Sequence, residues 1–381
     1  MKKEKRKRRL FRELAENYAS MEKPACAHFP ECGGCLLQNV PYPDQLLLKR
    51  DYLRLLLEDV APVERVIGEE PYRYRNRMDF VTAFGKIGLR KAGSFRHVVD
   101  IKSCAITQER SNSLLKAIRP FLREVEDFNY LNHTGYLRYV VLRQGYYTGQ
   151  TMLNFVISRR ENLLQPCLDT ALSGADSVSL ILSEGKADLS YGEIMETLKG
   201  GSIEARFDDI TFRYGPNSFF QSNSSVSLAL YRKIREEVKG RVLDLYSGVG
   251  SISLFVAGKA ESVTGVEIVP EAVEMAGRNR ELNGTGNAGF RCADALDFLK
   301  EDTGRYDTFI LDPPRSGMHP KVLREIRRLA PEKILYLSCN PASFREDRLG
   351  LEEYNLESFE AHDMFPQTSH VETLAVLKRR N

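Results

Sequence analysis

Three of the seven cysteines in this 381-residue chain lie close together, in the segment CAHFPECGGC at positions 26–35. Their spacing, C-x5-C-x2-C, allows metal binding, a disulfide or burial in a core, and a closed tetrahedral metal site would need a fourth ligand from elsewhere. The chain opens with charged residues rather than the apolar stretch of a signal peptide, which predicts a cytoplasmic protein. Because thiols stay reduced in the cytoplasm, the cluster favours metal binding or catalysis over disulfides.

A second group of reactive side chains lies near the C-terminus, beside predicted strands. Asp312 follows the apolar segment TFIL, and Cys339 follows the apolar segment ILYL and one serine. Because parallel strands end at the same edge of a sheet, we expect Asp312 and Cys339 at one edge. A lone cysteine after a strand is more often inert, but its place in this turn predicts a nucleophile. Glu372 begins the last predicted strand and is expected to return to the same edge as a base, with Asp363 as the next candidate.

A glycine turn between a predicted strand and a predicted helix indicates a nucleoside-like cofactor. The strand VLDLY runs into Gly248 and Gly250, and glycines there let a ligand approach backbone amides. The next strand ends at Glu267, where a carboxylate can accept hydrogen bonds from ribose hydroxyls. NAD is disfavoured because Ser253 stands where G-x-G-x-x-G has its third glycine. Taken alone, each acidic residue at such an edge would be an ordinary helix cap or turn residue.

Composition and patterning divide the chain near residue 210. It is 42% hydrophobic and 28% charged, which is typical of a soluble globular protein, and no apolar run is long enough to span a bilayer. Upstream, β-rich segments mix with helical ones, whereas downstream short apolar strands alternate with helices. The predicted organisation is a basic tail at 1–20, a mixed α+β central domain at 21–209, and an α/β domain with a doubly wound parallel sheet at 210–381.

Basic residues are unevenly distributed, although the net charge is only +3. The segment MKKEKRKRR at 1–9 is more often a solvated, mobile tail than an arm that contacts phosphates. Arginine alternates with tyrosine in PYRYRNRMDF (71–80) and in YLRYVVLRQG (136–145). Because arginine neutralises phosphate and aromatic rings stack on bases, both segments are candidates for an RNA surface, or else for strands with one exposed face.

The order of five motifs resembles that of the RNA 5-methyluridine methyltransferases: NSFFQSN, LDLYSGVGSISL, LDPPRSGM, YLSCNPASF and DMFPQTSHVETLAVL. The resemblance covers nearly the whole chain from Cys26 onward. It implies a Rossmann-like class I methyltransferase sheet, S-adenosylmethionine as methyl donor and RNA as partner. It also implies that Cys339 adds to C6 of uracil and that Glu372 removes the C5 proton so that the enzyme is eliminated. The resemblance further implies that the cofactor is bound by Gln221, Tyr246, Gly248, Gly250, Glu267, Asp294 and Asp312. Of these, Gln221 and Asp312 are implied to hold uracil as well.

The family resemblance extends to the cysteine cluster. Members commonly carry a [4Fe-4S] cluster on C-x5-C-G-G-C plus a distant fourth cysteine, and in this chain Cys104 matches that fourth position. The resemblance therefore implies a [4Fe-4S] cluster in a structural or RNA-positioning role, although four thiolates also bind zinc. Its expected ligands are Cys26, Cys32, Cys35 and Cys104. Cys167 and Cys292 are expected to be packing residues.

Two alternative functions stand beside this one. An N-methyltransferase could use the DPPR loop on an exocyclic amine, and would need neither Cys339 nor Glu372. A metal-stabilised RNA-binding protein could carry an inactive methyltransferase half. Many family members begin with a β-barrel RNA-binding domain, whereas 25 residues precede Cys26 here, so RNA affinity is expected from the central domain with help from the tail. The expected target is uridine 54 of the tRNA T-loop or a uridine of 23S rRNA, and the expected state is a monomer.

Overall fold

The computed structural model describes residues 2–18 and 22–380. The helices in these ranges are α1 (Lys2–Glu16), α2 (Tyr42–Leu57), α3 (Glu109–Leu122), α4 (Gln165–Gly174), α5 (Ser224–Glu237), α6 (Ser251–Ala257), α7 (Pro270–Leu282), α8 (Ala295–Glu301), α9 (Pro320–Leu329) and α10 (Pro341–Leu349). The strands are β1 (Val66–Ile67), β2 (Arg77–Ala83), β3 (Lys86–Arg90), β4 (Val98–Asp100), β5 (Phe128–Asn129), β6 (Thr134–Gly135), β7 (Leu137–Gln144), β8 (Thr151–Ile157), β9 (Ser177–Leu182), β10 (Glu193–Lys199), β11 (Ile203–Phe207), β12 (Ile210–Tyr214), β13 (Arg241–Leu245), β14 (Ser262–Glu267), β15 (Ala288–Cys292), β16 (Thr308–Leu311), β17 (Lys333–Ser338), β18 (Tyr354–His362) and β19 (Glu372–Arg379). Within the described residues, no helix has the length and apolar character needed to cross a membrane.

The larger sheet has eight strands in the order β1-β18-β19-β17-β16-β13-β14-β15. β13 pairs in parallel with β14 on one side and with β16 on the other, and β15 and β17 extend the parallel set. β19 lies antiparallel to both β17 and β18. The central strands are apolar runs buried on both faces, as strands covered by helices must be. The predicted doubly wound α/β architecture is confirmed, with the difference that the sheet is mixed rather than wholly parallel.

One compact unit combines the described residues up to Glu22 with Asn39–Glu69 and residues 225–380. Helices α1 and α2 therefore belong with the eight-stranded sheet. In this unit Phe11 is 2% exposed, and its ring packs edge-on against Tyr52 with centroids 5.3 Å apart. Lys49 of α2 donates hydrogen bonds to Asp363 Oδ1 at 2.5 Å and to the Phe365 carbonyl oxygen at 3.1 Å. This buried ion pair fastens α2 to the segment that leads into β19.

The second compact unit combines Lys23–Gln38 with Glu70–Ser224. Its seven-stranded sheet has the order β10-β9-β8-β7-β2-β3-β4, and within it only the pairing of β8 with β9 is parallel among the described residues. Buried residues of α3 and α4, such as Ile118 and Ala171, share one hydrophobic core with residues of these strands. The predicted mixed α+β character of this part of the chain agrees with that arrangement.

Two features of the predicted organisation differ from the observed one. Residues 2–16 form helix α1, in which Arg9 and Glu13 are exposed, while residues 1, 19 and 20 of the predicted tail lie outside the described ranges. The predicted boundaries at 20/21 and 209/210 do not coincide with those of the compact units, because Asn39–Glu69 packs with the C-terminal sheet and residues up to Ser224 with the central one. Packing between distant segments decides both points, and a local pattern does not reveal it.

The arginines of the segment 136–145 are buried, so the prediction of an RNA surface there is wrong. Arg138 donates hydrogen bonds to carbonyl oxygens of the segment that follows β9, including that of Gly185 at 2.7 Å. Arg143 is 2% exposed, donates to the Gly215 carbonyl oxygen at 2.8 Å and lies over the Tyr214 ring at 4.6 Å. β7 is a central strand with both faces covered, and its long side chains therefore satisfy backbone acceptors inside the unit.

Candidate active site

The loop after β13 lies at the point where the strand order of the larger sheet reverses, the place where doubly wound sheets bind ligands. Tyr246, Gly248 and Gly250 have φ values of 68°, 53° and 77°. A Cβ on Gly250 would come 2.6 Å from the Phe290 ring, which requires glycine there. A Cβ on Gly248 would meet no atom within 4 Å. The loop therefore has open space beside Gly248, where a ligand can approach the backbone.

Glu267 stabilises the glycine loop. Its Oε2 accepts a hydrogen bond from the Gly248 amide at 3.0 Å, and its Oε1 accepts from the amides of Ile268 and Val269 at 2.8 and 2.9 Å. Oε2 accepts only one of these hydrogen bonds, so its second lone pair leaves acceptor capacity for a ligand hydroxyl. Glu267 thus lies at the end of β14, where the sequence places it, and holds the glycine loop, while its contact with ribose hydroxyls stays a prediction.

Asp294 is the N-cap of α8. Its Oδ1 accepts hydrogen bonds from the amides of Leu296 and Asp297, at 2.8 and 3.2 Å. Burial raises the pKa of Tyr246 to about 12, and the nearby carboxyl of Asp294 adds to this rise. This effect of Asp294 on Tyr246 indicates that Asp294 lies near the glycine loop.

Asp312 directly follows β16 and begins a loop that is fastened to the next strand and helix. Asp347 of α10 accepts a hydrogen bond from the Met318 amide at 2.9 Å. Asn340, which follows β17, donates through Nδ2 to the Arg315 carbonyl oxygen at 2.7 Å. The residues after β16 and after β17 are therefore held together at one edge.

Cys339 and Glu372 lie on neighbouring strands at that edge. Cys339 directly follows β17, and Glu372 is the first residue of β19. In the antiparallel register of these strands Ser338 is opposite Thr373, whose Oγ1 donates to the Ser338 carbonyl oxygen at 3.2 Å. Glu372 is 4% exposed and Cys339 is half-buried. The structure therefore brings together the thiol and the carboxyl that the sequence singled out.

The acidic groups of the edge raise the pKa values of their neighbours. Burial raises the pKa of Cys339 to about 12, and the carboxyls of Glu372 and Asp312 add to the rise. Burial raises the pKa of Asp312 to about 6, and burial together with Asp312 raises the pKa of Glu372 well above its usual range. Arg315 acts in the opposite direction and lowers the pKa of both Cys339 and Glu372. An edge with several buried acids suits a cationic ligand.

Three residues of this site were missed by sequence reasoning or given another role. Asp244 is buried within β13, its pKa is raised by burial to about 7, and it accepts a hydrogen bond from Ser253 Oγ at 2.5 Å. It belongs to the apolar run VLDLY. A single acid within a strand that is otherwise apolar could have identified it from the sequence as a candidate site residue. Arg315 follows the DPP segment, and its Nη2 lies 2.9 Å from His370 Nδ1. Asp363, the alternative base, instead pairs with Lys49.

Gln221 belongs to the compact unit that contains Glu70–Ser224. Its carbonyl oxygen accepts a hydrogen bond from Asn76 Nδ2 at 2.8 Å, and the same nitrogen lies 2.7 Å from Ser224 Oγ. Asn76 therefore fixes the backbone of the NSFFQSN motif, and the Gln221 residue is half-buried. The contact of Gln221 with cofactor and uracil stays a prediction.

The four cysteines of the predicted cluster line one cavity of about 410 Å³ in the same unit: Cys26, Cys32, Cys35 and Cys104. Burial raises the pKa of Cys32 to about 11 and that of Cys35 to about 12, and the neighbouring thiols add to both. Asn112 fastens Cys104, accepting from its amide at 2.9 Å and donating to its carbonyl oxygen at 3.0 Å. The cavity joins thiols from two distant segments of the chain.

The four thiols of the cavity are not arranged as a metal site. Within residues 2–18 and 22–380, no group of three or more histidine, cysteine, aspartate or glutamate residues is arranged to hold a metal ion. Of the remaining cysteines, Cys167 is fully buried and packs in the core as predicted. Cys292 is exposed at the end of β15, so the prediction that it is a packing residue is wrong.

Comparison with known proteins gives consistent matches. The family model for tRNA (Uracil-5-)-methyltransferase matches residues 186–380. A tRNA (uracil(54)-C(5))-methyltransferase of Pyrococcus furiosus is 35% identical over 360 residues, which are 93% of this chain and 85% of that protein. A 23S rRNA (uracil(747)-C(5))-methyltransferase of Pyrococcus horikoshii is also 35% identical, over 93% of this chain and 85% of that protein.

A solved structure resembles the whole fold. The crystal structure of Pyrococcus abyssi tRNA (uracil-54, C5)-methyltransferase in complex with S-adenosyl-L-homocysteine superimposes with a TM-score of 0.81 at 35% identity. The match covers 91% of this chain and 86% of that one. The family model matches residues 186–380, and the sequence relatives and the solved structure match more than nine-tenths of the chain. The chain therefore belongs to the tRNA (uracil-5-)-methyltransferase family of RNA uracil-C5 methyltransferases.

Proposed function

We propose that this protein methylates C5 of a uridine in structured RNA, with S-adenosylmethionine as methyl donor. The observation that carries the proposal is the position of Cys339 beside Glu372 and Asp312, at the sheet edge that also has the open glycine loop. The relatives named above, which act on uracil C5, support the same reaction.

The reaction needs a strong nucleophile because C5 of uracil is a poor one. Cys339 gives its proton to solvent, the thiolate adds to C6, and the electron pair of the C5–C6 double bond moves into an enolate. C5 then takes the methyl group from the sulfonium, whose sulfur leaves as a neutral thioether. A thiolate suits this role because it is the most nucleophilic of the common side chains. Arg315 supplies the positive charge that favours the thiolate against the surrounding acids.

Glu372 is the proposed base for the last step. It removes the proton from C5, the C5–C6 double bond forms again, and the bond between Cys339 and C6 breaks to release the thiolate. A base that must accept a proton near neutral pH works best with a raised pKa, and burial with Asp312 raises that of Glu372. Glu372 is 4% exposed and β19 lies between β17 and β18, so Glu372 is not the exposed cap of an edge strand.

The residues around the glycine loop fit S-adenosylmethionine. The open space beside Gly248 admits the cofactor to the backbone, while Glu267 and Asp294 retain acceptor capacity for its hydroxyl and amino groups. The remaining proposed contacts are Gln221, Tyr246, Gly250 and Asp312. When bound, the cofactor supplies an electrophilic methyl group on a cationic sulfur, which suits the buried acids of the edge.

The two alternative functions leave parts of the site without a task. An N-methyltransferase would need neither the thiol of Cys339 nor the carboxyl of Glu372, yet both lie at the same strand ends. An inactive methyltransferase half in an RNA-binding protein would be indicated by a lost nucleophile or cofactor acid, and Cys339 and Glu267 are both present. One chain supplies the proposed nucleophile and base, which supports action as a monomer.

The proposed target is uridine 54 of the tRNA T-loop, with a 23S rRNA uridine as second candidate. Relatives with each activity are 35% identical to this chain, so identity favours neither. A uridine within either RNA must leave its stack to reach Cys339. The unit of Lys23–Gln38 and Glu70–Ser224 is the proposed RNA-binding part, and the unit with the eight-stranded sheet is the proposed catalytic part.

The four cysteines of the 410 Å³ cavity are the proposed ligands of a [4Fe-4S] cluster. Buried thiols in one cavity are a suitable donor set, and a four-iron cluster keeps its thiolates farther apart than a single ion does. A cavity without a tight ligand shell is compatible with that spacing. The proposed role of the cluster is structural. The backbone of Cys32 forms an antiparallel β-bridge with Lys91, and the Gly33 amide donates to the Arg90 carbonyl oxygen at 2.9 Å, so the cysteine segment supports the end of β3.

Incubation with S-adenosylmethionine and a T-arm transcript should produce 5-methyluridine at position 54. Cys339→Ala should lower the rate by at least about a thousandfold because no other group can add to C6, while cofactor affinity stays within about twofold. Nucleoside mass spectrometry and calorimetry measure the two effects. A 23S rRNA fragment methylated instead of the T-arm would select the second target, and methylation by Cys339→Ala at the wild-type rate would contradict the proposal.

Binding of S-adenosylmethionine should strengthen relative to that of S-adenosylhomocysteine as pH rises. Asp312 and Asp244, with pKa values raised to about 6 and about 7, ionise between pH 5 and 8 and attract the sulfonium, whose charge the product lacks. The ratio of the two dissociation constants should change by about tenfold over this range. Calorimetry at each pH measures it, with the exposed Glu274→Gln as control. A ratio independent of pH would contradict the electrostatic role of these acids.

Protein purified without oxygen and with iron supplied should contain about four irons and four sulfides per chain. Cys32→Ser should lose most of the iron, whereas Cys292→Ser should retain it because Cys292 is exposed and outside the cavity. Metal analysis and thermal unfolding measure the content and the loss of stability. One zinc per chain under these conditions would contradict the iron–sulfur assignment, and no metal at all would contradict the site.

A further inference from the structure

The turn between β2 and β3 has an aromatic residue where the backbone disfavours one. Ala83 pairs with Lys86, so the turn consists of Phe84 and Gly85, with φ values of 57° and 70°. Two-residue turns with positive φ favour asparagine or glycine at the first position, because other side chains are strained there. Phe84 is also 44% exposed. Neither the turn nor burial accounts for phenylalanine at this position, and a strained, exposed residue indicates function.

Phe84 belongs to a cluster of rings. Tyr130 lies between Phe84 and Phe95 and meets each edge-on, with centroids 5.2 and 5.4 Å apart. Phe95 is 56% exposed. The Arg90 guanidinium lies 3.5 Å from the Tyr130 centroid and 4.4 Å from that of Phe95. Phe84, Phe95, Tyr130 and Arg90 are here named the aromatic platform. Because Tyr130 and Arg90 contact the exposed rings, those rings are held ready for a ligand.

Two exposed cations, Lys86 and Arg96, lie near the aromatic platform, while Arg90 pairs with Asp188 at 2.8 Å and Asp127 accepts a hydrogen bond from the Gly85 amide. Residues 84–100 include Lys86, Arg90, Lys91 and Arg96 but a single acid, Asp100. Lys91 pairs with Glu31 at 3.2 Å. Exposed rings among cations are what single-stranded nucleic acid requires, since bases stack on the rings and phosphates meet the cations.

We propose that the aromatic platform binds an unpaired base of the RNA substrate by stacking on Phe84 and Phe95. The inference rests on the proposed action on RNA and adds the surface by which the substrate is held. The sequence-based expectation named the segments 71–80 and 136–145. The arginines of 136–145 are buried, and the exposed rings of the platform lie in the turns that flank β3. The strained backbone at Phe84 is retained because asparagine, which would relieve it, cannot stack as a phenyl ring does.

Phe84→Asn separates stability from RNA binding. The substitution removes the ring and installs the residue that this turn prefers, so the melting temperature should stay equal or rise. The affinity of the full-length protein for a fluorescein-labelled T-arm hairpin should fall by about tenfold, as expected for one lost base stack. The slope of log Kd against log salt concentration should not change, because no phosphate contact is removed. Phe84→Tyr keeps a ring and should bind as wild type does.

Phe95→Ser provides a second test at an unstrained position and should also weaken binding by about tenfold. If Phe84→Asn and Phe95→Ser both fold and bind the hairpin within twofold of wild type, the aromatic platform is not an RNA surface, whatever the enzyme methylates. If instead the wild type forms no 5-methyluridine but both substitutions weaken RNA binding, the proposed reaction fails and the platform stands. Fluorescence polarisation and nucleoside analysis of the same preparations distinguish these results.

Discussion

The antiparallel pairing of β19 with β17 determines which side chains meet at the reactive edge. Ser338 opposite Thr373 puts the first residue of β19 beside the residue that follows β17, so a carboxyl and a thiol from opposite chain directions become neighbours. A register shift of one residue would turn Glu372 to the other face of the sheet. The Thr373 hydroxyl, which donates to the Ser338 carbonyl oxygen, supports this register, and the buried ion pair between Lys49 and Asp363 fixes the segment that follows β18. Within this pair Lys49 Nζ donates to Asp363 Oδ1 and also to the Phe365 carbonyl oxygen, which partly offsets the cost of burying the charges.

The same burial that fixes the edge also sets its chemistry. Removing Glu372 and Asp312 from water raises their pKa values, which makes Glu372 a suitable acceptor for the C5 proton. It also raises the pKa of Cys339 to about 12, so the resting thiol is protonated. The site therefore needs positive charge at the moment of attack. In the proposed reaction Arg315 provides part of it, and the sulfonium of the methyl donor would provide more.

Some parts of this arrangement could be predicted from the sequence and others could not. Alternating strands and helices define a doubly wound sheet, and the ends of parallel strands share one edge, so Asp312 and Cys339 could be assigned to one site. The strand register, by contrast, depends on pairing between segments that are distant in the sequence. The same is true of the packing of α1 and α2 in the C-terminal unit and of the burial of Arg143 in a central strand. The αL conformation of Phe84 is likewise invisible in a strand pattern, because the residue type argues against it.

The most direct measurement is a denaturing gel of the Glu372→Gln variant after reaction with an ordinary uridine transcript and S-adenosylmethionine labelled in its methyl group. If Cys339 bonds to C6 and Glu372 then removes the C5 proton, the variant should stall after methyl transfer and give a labelled protein–RNA band. That band should be absent from the Cys339→Ala, Glu372→Gln double variant. Methylation by Glu372→Gln at close to the wild-type rate, with no covalent band, would contradict the shared role of these two residues.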